Sequence, residues 1–226
     1  METDFKRFYD ATAGTYDQRH ESPASRRLRK KENSMIRKFA EGKVLDIGCG
    51  TGCHMGHSWF KPAGIDITGV DISDDMLEIA RKSGHDVRKA RAESLPFSDK
   101  AFDTAFCFFA VLNMCDSSAV VREMARVLKP GGHALLSLSS IHDKRQFRIS
   151  KQRVELKKLF SKEELIRSFE RNGFQPVYFS SVFRSGRPRW GDFSPVPLRE
   201  RISLWLDRFR DTGRGVIYLA AFKKRG

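Results

Sequence analysis

The chain has 226 residues, 40% of them hydrophobic, and carries 42 Lys and Arg against 28 Asp and Glu, a formal charge of +14. That length suits one α/β domain with a full core, and the longest apolar run, residues 105–112, is strand-sized and too short for a membrane span. The acidic start Met1-Glu2-Thr3-Asp4 predicts no cleaved secretory signal, and four cysteines (Cys49, Cys53, Cys107, Cys115), few and clustered in apolar or glycine-rich surroundings, predict no disulfide framework, so a reducing cytoplasm is the expected home.

Residues 1–22 mix Phe5, Phe8, Tyr9 and Tyr16 with polar residues and show no clean period. Ser22-Pro23 predicts an N-cap followed by proline at the first helical position. Leu28, Met35, Ile36 and Phe39 then share one face to about Ala40, while Arg26, Arg27, Arg29, Lys30 and Lys31 form a basic run. Residues 1–40 are therefore expected to supply an N-terminal helix and lid, stopped by Gly42. In Val44-Leu45-Asp46-Ile47-Gly48-Cys49-Gly50-Thr51-Gly52 an apolar strand runs into glycines at every second position, as where a strand turns sharply and a ligand approaches bare backbone.

A short helix is expected over residues 53–60, and a second strand over 65–70 with Asp71 at its C-terminal end. Ser73 caps the next helix, with Asp74 and Asp75 in its first turn and Gly84 at its close. Strands are predicted over 86–90 and 102–109, the latter apolar enough to be covered on both faces. A helix over 117–128, a Lys129-Pro130-Gly131-Gly132 stop and a strand over 133–139 follow. Residues 140–160 read as basic and irregular, helical in their second half; Ser161 and Glu164 form a capping box. The last two strands are placed at 174–180 and 215–222, around an insertion, residues 181–214, whose second half (198–210) is an amphipathic helix. Alternating strands and helices predict one doubly wound α/β domain, Rossmann-like, with a mostly parallel sheet.

A dinucleotide fingerprint would need glycine at the sixth position, where this chain has Cys53 counted from Gly48 and Met55 counted from Gly50. The pattern is D-x-G-x-G-x-G with no basic residue for a pyrophosphate, and Asp71 suits a ribose diol, which points to an adenosine ligand without pyrophosphate.

These residues, with Gly69-Val70-Asp71-Ile72-Ser73, Glu93-Ser94-Leu95-Pro96-Phe97 and Arg126-Val127-Leu128-Lys129-Pro130-Gly131-Gly132, resemble the class I S-adenosylmethionine-dependent methyltransferases. The resemblance covers about residues 40–140 and is nearest to the branch that includes the ubiquinone and menaquinone biosynthesis methyltransferases. It implies a seven-stranded sheet with an antiparallel last strand, and S-adenosyl-L-methionine as cofactor. It further implies that the backbone of Gly48, Cys49, Gly50 and Gly52 runs along the methionine part, with Asp46 near its amino group. Asp71 would accept from both ribose hydroxyls, Ile72 and Met76 would sandwich the adenine, and Ala92 and Glu93 would flank its edge. Phe108 and Phe109 would pass beneath the methionine part, and Tyr16 would close over the cofactor. Two positions depart from the family: Arg91 stands where an acid is usual, and Asn113 where a histidine is common.

A sulfonium methyl is already activated, so alignment carries most of the acceleration and a base is needed only if the acceptor loses a proton. His142, Tyr9 and His20 are the candidates for such a base, each weighed against a plain surface or core-edge role. Cys49, Cys53, His54 and His57 have metal-ligand residue types but no CxxC pair, and no metal is expected. The acceptor reads first as a small or lipid-like molecule, with helix 198–210 resting on an anionic membrane surface. RNA is the alternative, held by residues 26–31, 144–153 and 184–189 with Trp190 as a stacking platform. A non-catalytic interaction protein is the third reading, and the intact Gly48, Gly50, Gly52 and Asp71 set argues against it.

Overall fold

A computed structural model describes residues 2–109, 111–142, 147–149, 152–154, 156, 158–183 and 216–226. The predicted strands pair into one seven-stranded sheet in the order β3-β2-β1-β4-β5-β9-β8. Its members are β1 (Lys43–Ile47), β2 (Asp66–Asp71), β3 (Val87–Lys89), β4 (Phe102–Cys107), β5 (Leu128–Ser139), β8 (Phe174–Val182) and β9 (Ile217–Lys224). The first five run parallel, and β9 lies antiparallel between β5 and β8. The chain reverses strand order at β1 and β4, which opens a crevice beyond their carboxyl ends, where ligands bind in such sheets.

Two apolar layers hold the sheet. Val120, Val121 and Met124 of α5 (Ser117–Val127), which follows the short α4 (Val111–Met114), and Leu165 and Phe169 of α6 (Lys162–Glu170) cover one face. Leu28, Met35 and Ile36 of α2 (Pro23–Phe39) cover the other, against Val44, Phe106 and Leu135. The local stop signals act as read: Ser22 accepts from Ser25 N, Ser73 from Met76 N, and Ser161 and Glu164 exchange both capping-box bonds.

The expected N-terminal helix is present as α1 (Glu2–Arg19), although residues 1–22 show no clean period, and it packs on α3 (Asp74–Lys82). Three expectations are corrected. Residues 53–60 form no helix but a series of single turns, closed by Met55 N to Gly52 O (2.8 Å) and Phe60 N to His57 O (3.0 Å). The buried His54, Met55 and Phe60 are not helically spaced, so side-chain packing decides the path. In the basic stretch, β6 (Phe147–Ile149) and β7 (Gln152–Val154) form an antiparallel pair instead of a helix, in register with the alternation of apolar residues and arginines. Lys129-Pro130-Gly131-Gly132 lies inside β5, as an irregularity between the Phe102–Leu128 and Thr104–His133 pairs. Most of the 181–214 insertion, including helix 198–210, Arg184, Arg189 and Trp190, falls outside the described residues, as do the side chains of residues 144–153.

The irregularity at β5 has a steric cause. A Cβ on Gly132 would stand 2.7 Å from the Asp103 carbonyl oxygen and 3.0 Å from that of Lys129, and backbone cannot yield there. Gly132→Ala is expected to lower stability by about 1–3 kcal/mol, the usual cost of overpacking, read as a lower urea midpoint at unchanged slope. An unchanged midpoint would show that β5 can move off Asp103.

Candidate functional site

At the crevice, β1 delivers Asp46 and then the glycine loop. The loop's first amides fold back, Gly48 N and Cys49 N both donating to Val70 O at 2.8 and 2.9 Å. Gly50 sits at φ +53 with open space where a Cβ would be, so bare backbone faces the cavity. Gly52, at φ +85, is instead covered by the His85 ring and is not part of the cavity wall.

Asp71, at the end of β2, ties loop and helix together. Its Oδ2 accepts from Gly50 N and its Oδ1 from Ser73 N, both at 2.9 Å. Burial pushes its carboxyl up, while the amides of Ser73, Gly50 and Ile72 oppose the rise. Asp46 is 2% exposed and its Oδ2 has no hydrogen-bond partner. Burial, then the charges of Asp71 and Glu32, hold its carboxyl well above the usual carboxylate range. A buried carboxylate oxygen left unpaired in a cavity wall calls for a cationic or protonated partner.

α1 roofs the crevice and is pinned at two points. Ser73 Oγ donates to Asp10 Oδ1 (2.6 Å), and Thr51 Oγ1 donates to Asp17 Oδ1 (2.8 Å). The roof closes a cavity with about 1100 Å³ of empty space, its mouth included. Its wall contains Tyr9, Tyr16, Asp46, Gly48, Cys49, Gly50, Asp71, Ile72, Met76, Ala92, Glu93, Phe108 and Phe109. Every position singled out for cofactor contact, Gly52 excepted, is therefore on one surface. Arg91 lies there too, 3.6 Å from Glu93, and Glu93 accepts from Asp116 N.

The three candidate bases separate. Tyr9 is in the wall, its hydroxyl 3.5 Å from Met114 Sδ, and burial pushes its phenol up, so it holds its proton. His20 stands behind the wall with its ring 4.3 Å from that of Tyr16 and its Nδ1 on the Tyr16 carbonyl. His142 is exposed on the turn after β5 and lines no part of the cavity. Asn113 does not face the cavity either: it bonds Ser139 N, Ser139 O and Lys158 O, fastening the end of β5.

Sequence reading missed one buried cluster. Glu32, on α2, is fully buried; Ser137 Oγ donates to its Oε1 and in turn accepts from Phe109 N at 2.9 Å. That bond holds Phe109 at φ +55, a left-handed conformation uncommon for a bulky residue. Glu32 Oε2 lies 3.5 Å from Nε2 of His54, a cavity-wall residue whose ring stacks on Phe109. Asn33 Oδ1 receives both His54 Nδ1 and His57 Nε2 at 3.1 Å, so both of those nitrogens carry hydrogen. Burial pushes Glu32 up to about 7 and His54 down to about 3, which favours a protonated acid beside a neutral imidazole. Cys53 and Cys49 are likewise held as thiols by burial. The missed signal was an acid four residues from Leu28 and four from Ile36, on the apolar stripe of α2.

Residues 45–136 match the family model described as a methyltransferase domain. An uncharacterised protein of Methanocaldococcus jannaschii is 38% identical over 141 residues, 61% of this chain and 53% of that protein. A demethylmenaquinone methyltransferase of Chlorobaculum parvum is 38% identical over 109 residues, 47% of this chain and 45% of that one. The chain thus spans about half the length of the curated relatives it matches. A solved S-adenosylmethionine-dependent methyltransferase of Thermotoga maritima, described as a possible histamine N-methyltransferase, is 25% identical, with TM-score 0.67 over 97% of this chain and 99% of that one.

Proposed function

We propose that this chain, which carries a class I S-adenosylmethionine-dependent methyltransferase domain, moves the methyl group to a small or lipid-like acceptor. The observation that carries the cofactor part is the unpaired, buried Asp46 oxygen beside an open glycine backbone, with Asp71 one strand away. S-adenosylmethionine has an ammonium for the first, a methionine chain for the second and a ribose diol for the third. Bound there, it supplies a methyl group on a sulfonium, ready for in-line displacement.

The chain's own residues then position and exclude water. Ile72, Met76 and Ala92 offer apolar surface to an adenine ring, and Tyr16 on α1 closes the methionine side. The rest of the wall includes Phe5, Tyr9, Val111 and Met114 beside His54 and Arg91, a largely apolar and aromatic lining that supports an apolar or planar acceptor. Burial leaves Tyr9 a phenol, able to donate to an acceptor oxygen but not to take its proton. Among the described residues no helix is long and apolar enough to cross a membrane.

A labelled-methyl screen against lipid, small-molecule and RNA fractions of an extract tests the acceptor. Label in the lipid or small-molecule fraction is expected, and label confined to RNA would replace this acceptor class. Absence of S-adenosylmethionine binding by calorimetry would remove the reading altogether.

A further inference from the structure

The exposed face of α2 carries a second concave surface, separate from the cofactor cavity. Arg26, Arg29, Lys30 and Arg37 lie on one helical stripe and line a shallow, open groove with about 810 Å³ of empty space, open solvent included, floored by His57 and Trp59. Arg26 and Arg37 are eleven residues apart, about 16 Å along the helix axis at 1.5 Å per residue. A single phosphate cannot bridge that length; a chain of phosphates can.

The charge in the groove is largely uncompensated. Glu21 meets Arg26 at 3.4 Å and Arg29 at 3.8 Å, at one end only. Among the described residues Lys30 and Arg37 have no ion pair, and the buried Arg29 Nε has no hydrogen-bond partner.

The floor decides what part of a polyanion is read. The Arg37 guanidinium lies 5.5 Å over the Trp59 ring, and His57 stacks on the same ring at 5.8 Å. With those partners on its ring, Trp59 anchors Arg37 instead of receiving a base. The concavity also disfavours a bilayer, whose headgroup plane would meet the rim but not the half-buried His57 and Arg29.

We propose that this groove binds the sugar–phosphate backbone of single-stranded nucleic acid, without base preference, as basic channels that track a strand do. It uses no residue of the cofactor wall, so it stands whichever molecule accepts the methyl group.

Fluorescence anisotropy with a labelled oligouridine 12-mer, titrated from about 50 to 200 mM salt, is the test. Lys30→Glu/Arg37→Glu is expected to weaken binding at least tenfold at low salt and to flatten the salt slope by about 1.4, two contacts at about 0.7 each. An oligoadenine probe should bind as the oligouridine does. Both substituted residues are exposed, and an unchanged melting temperature confirms the fold; Lys30→Gln/Arg37→Gln serves if the reversal does not fold. Equal affinity and slope in the variant would overturn the proposal, as would no binding by the wild type at the lowest salt. Anionic phosphatidylglycerol vesicles form a separate arm: vesicle binding lost in the variant while oligonucleotide binding is kept would reassign the groove to a membrane. Calorimetry with S-adenosylmethionine on the same samples is independent, since its failure would remove the methyltransferase reading and leave the groove untouched.

Discussion

Glu32→Gln is expected to match the wild type in stability at pH 4.5 and to exceed it at pH 8, by up to about 3 kcal/mol. The sign follows from two opposed shifts. With its pKa raised from 4.5 to about 7, folded Glu32 holds a proton that the unfolded chain has lost. Its contribution to stability therefore falls as pH rises from about 4.5 to about 7. His54, lowered from 6.5 to about 3, is neutral in the fold where the unfolded chain is protonated. Its contribution rises with pH from about 3 to about 6.5. In the overlap the two slopes cancel, because folding moves one proton from a histidine to a glutamate.

Glutamine keeps what the protonated acid does. Its oxygen can accept from Ser137, its amide can donate to His54 Nε2, and it has no charge to bury. The variant loses only the falling limb, a shift of about 2.5 pH units at about 1.36 kcal/mol each. Glu32→Ala differs in that it empties a buried site and leaves Ser137 without its acceptor, costing about 2–4 kcal/mol at pH 4.5; lacking the carboxyl, it too loses the falling limb, so that cost shrinks by the same amount towards pH 8. Urea unfolding of the three proteins at pH 4.5, 6 and 8 checks this. Parallel stability curves for wild type and Glu32→Gln would mean that Glu32 ionises alike in the folded and unfolded chains.

Asp71→Ala is expected to weaken S-adenosylmethionine binding by about 1.5–3 kcal/mol, or roughly 10- to 150-fold. The carboxylate does two things in that site. It receives Gly50 N and Ser73 N, which set the glycine loop against the start of α3. With its remaining lone pairs it is placed to accept from a ribose diol, through charge-assisted bonds that alanine cannot make. Lys82→Ala is the control, since that side chain is 72% exposed, lies off the cavity wall and its pairing with Glu78 is solvent-screened. Calorimetry on both variants separates the roles. A loss below about twofold at Asp71 would leave it a loop-fastening residue and move ribose recognition elsewhere.

The architecture was largely legible from the chain itself. Strand ends, caps and glycine turns are local events, decided by a few neighbouring residues, and Ser22, Ser73, Ser161 and Gly84 act where they stand. The glycine loop, Asp46 and Asp71 were legible for the same reason: a strand-to-turn pattern needs them at fixed offsets. The seat of α1 was not, because that helix is fastened by Asp10 on Ser73 and Asp17 on Thr51, partners more than 30 residues away.

Composition, motif spacing and local capping thus determined a mostly parallel α/β sheet and the glycine turn at its crevice. Tertiary structure alone decided which polar groups lose water. It placed Glu32 between Ser137 and His54, moved His142 out to solvent and His20 behind Tyr16, and turned Asn113 from the cavity to the end of β5. It also gathered the arginines of α2 into a groove over His57 and Trp59. Protonation and ligand preference depend on burial and on partners distant in sequence, and no window of residues contains either.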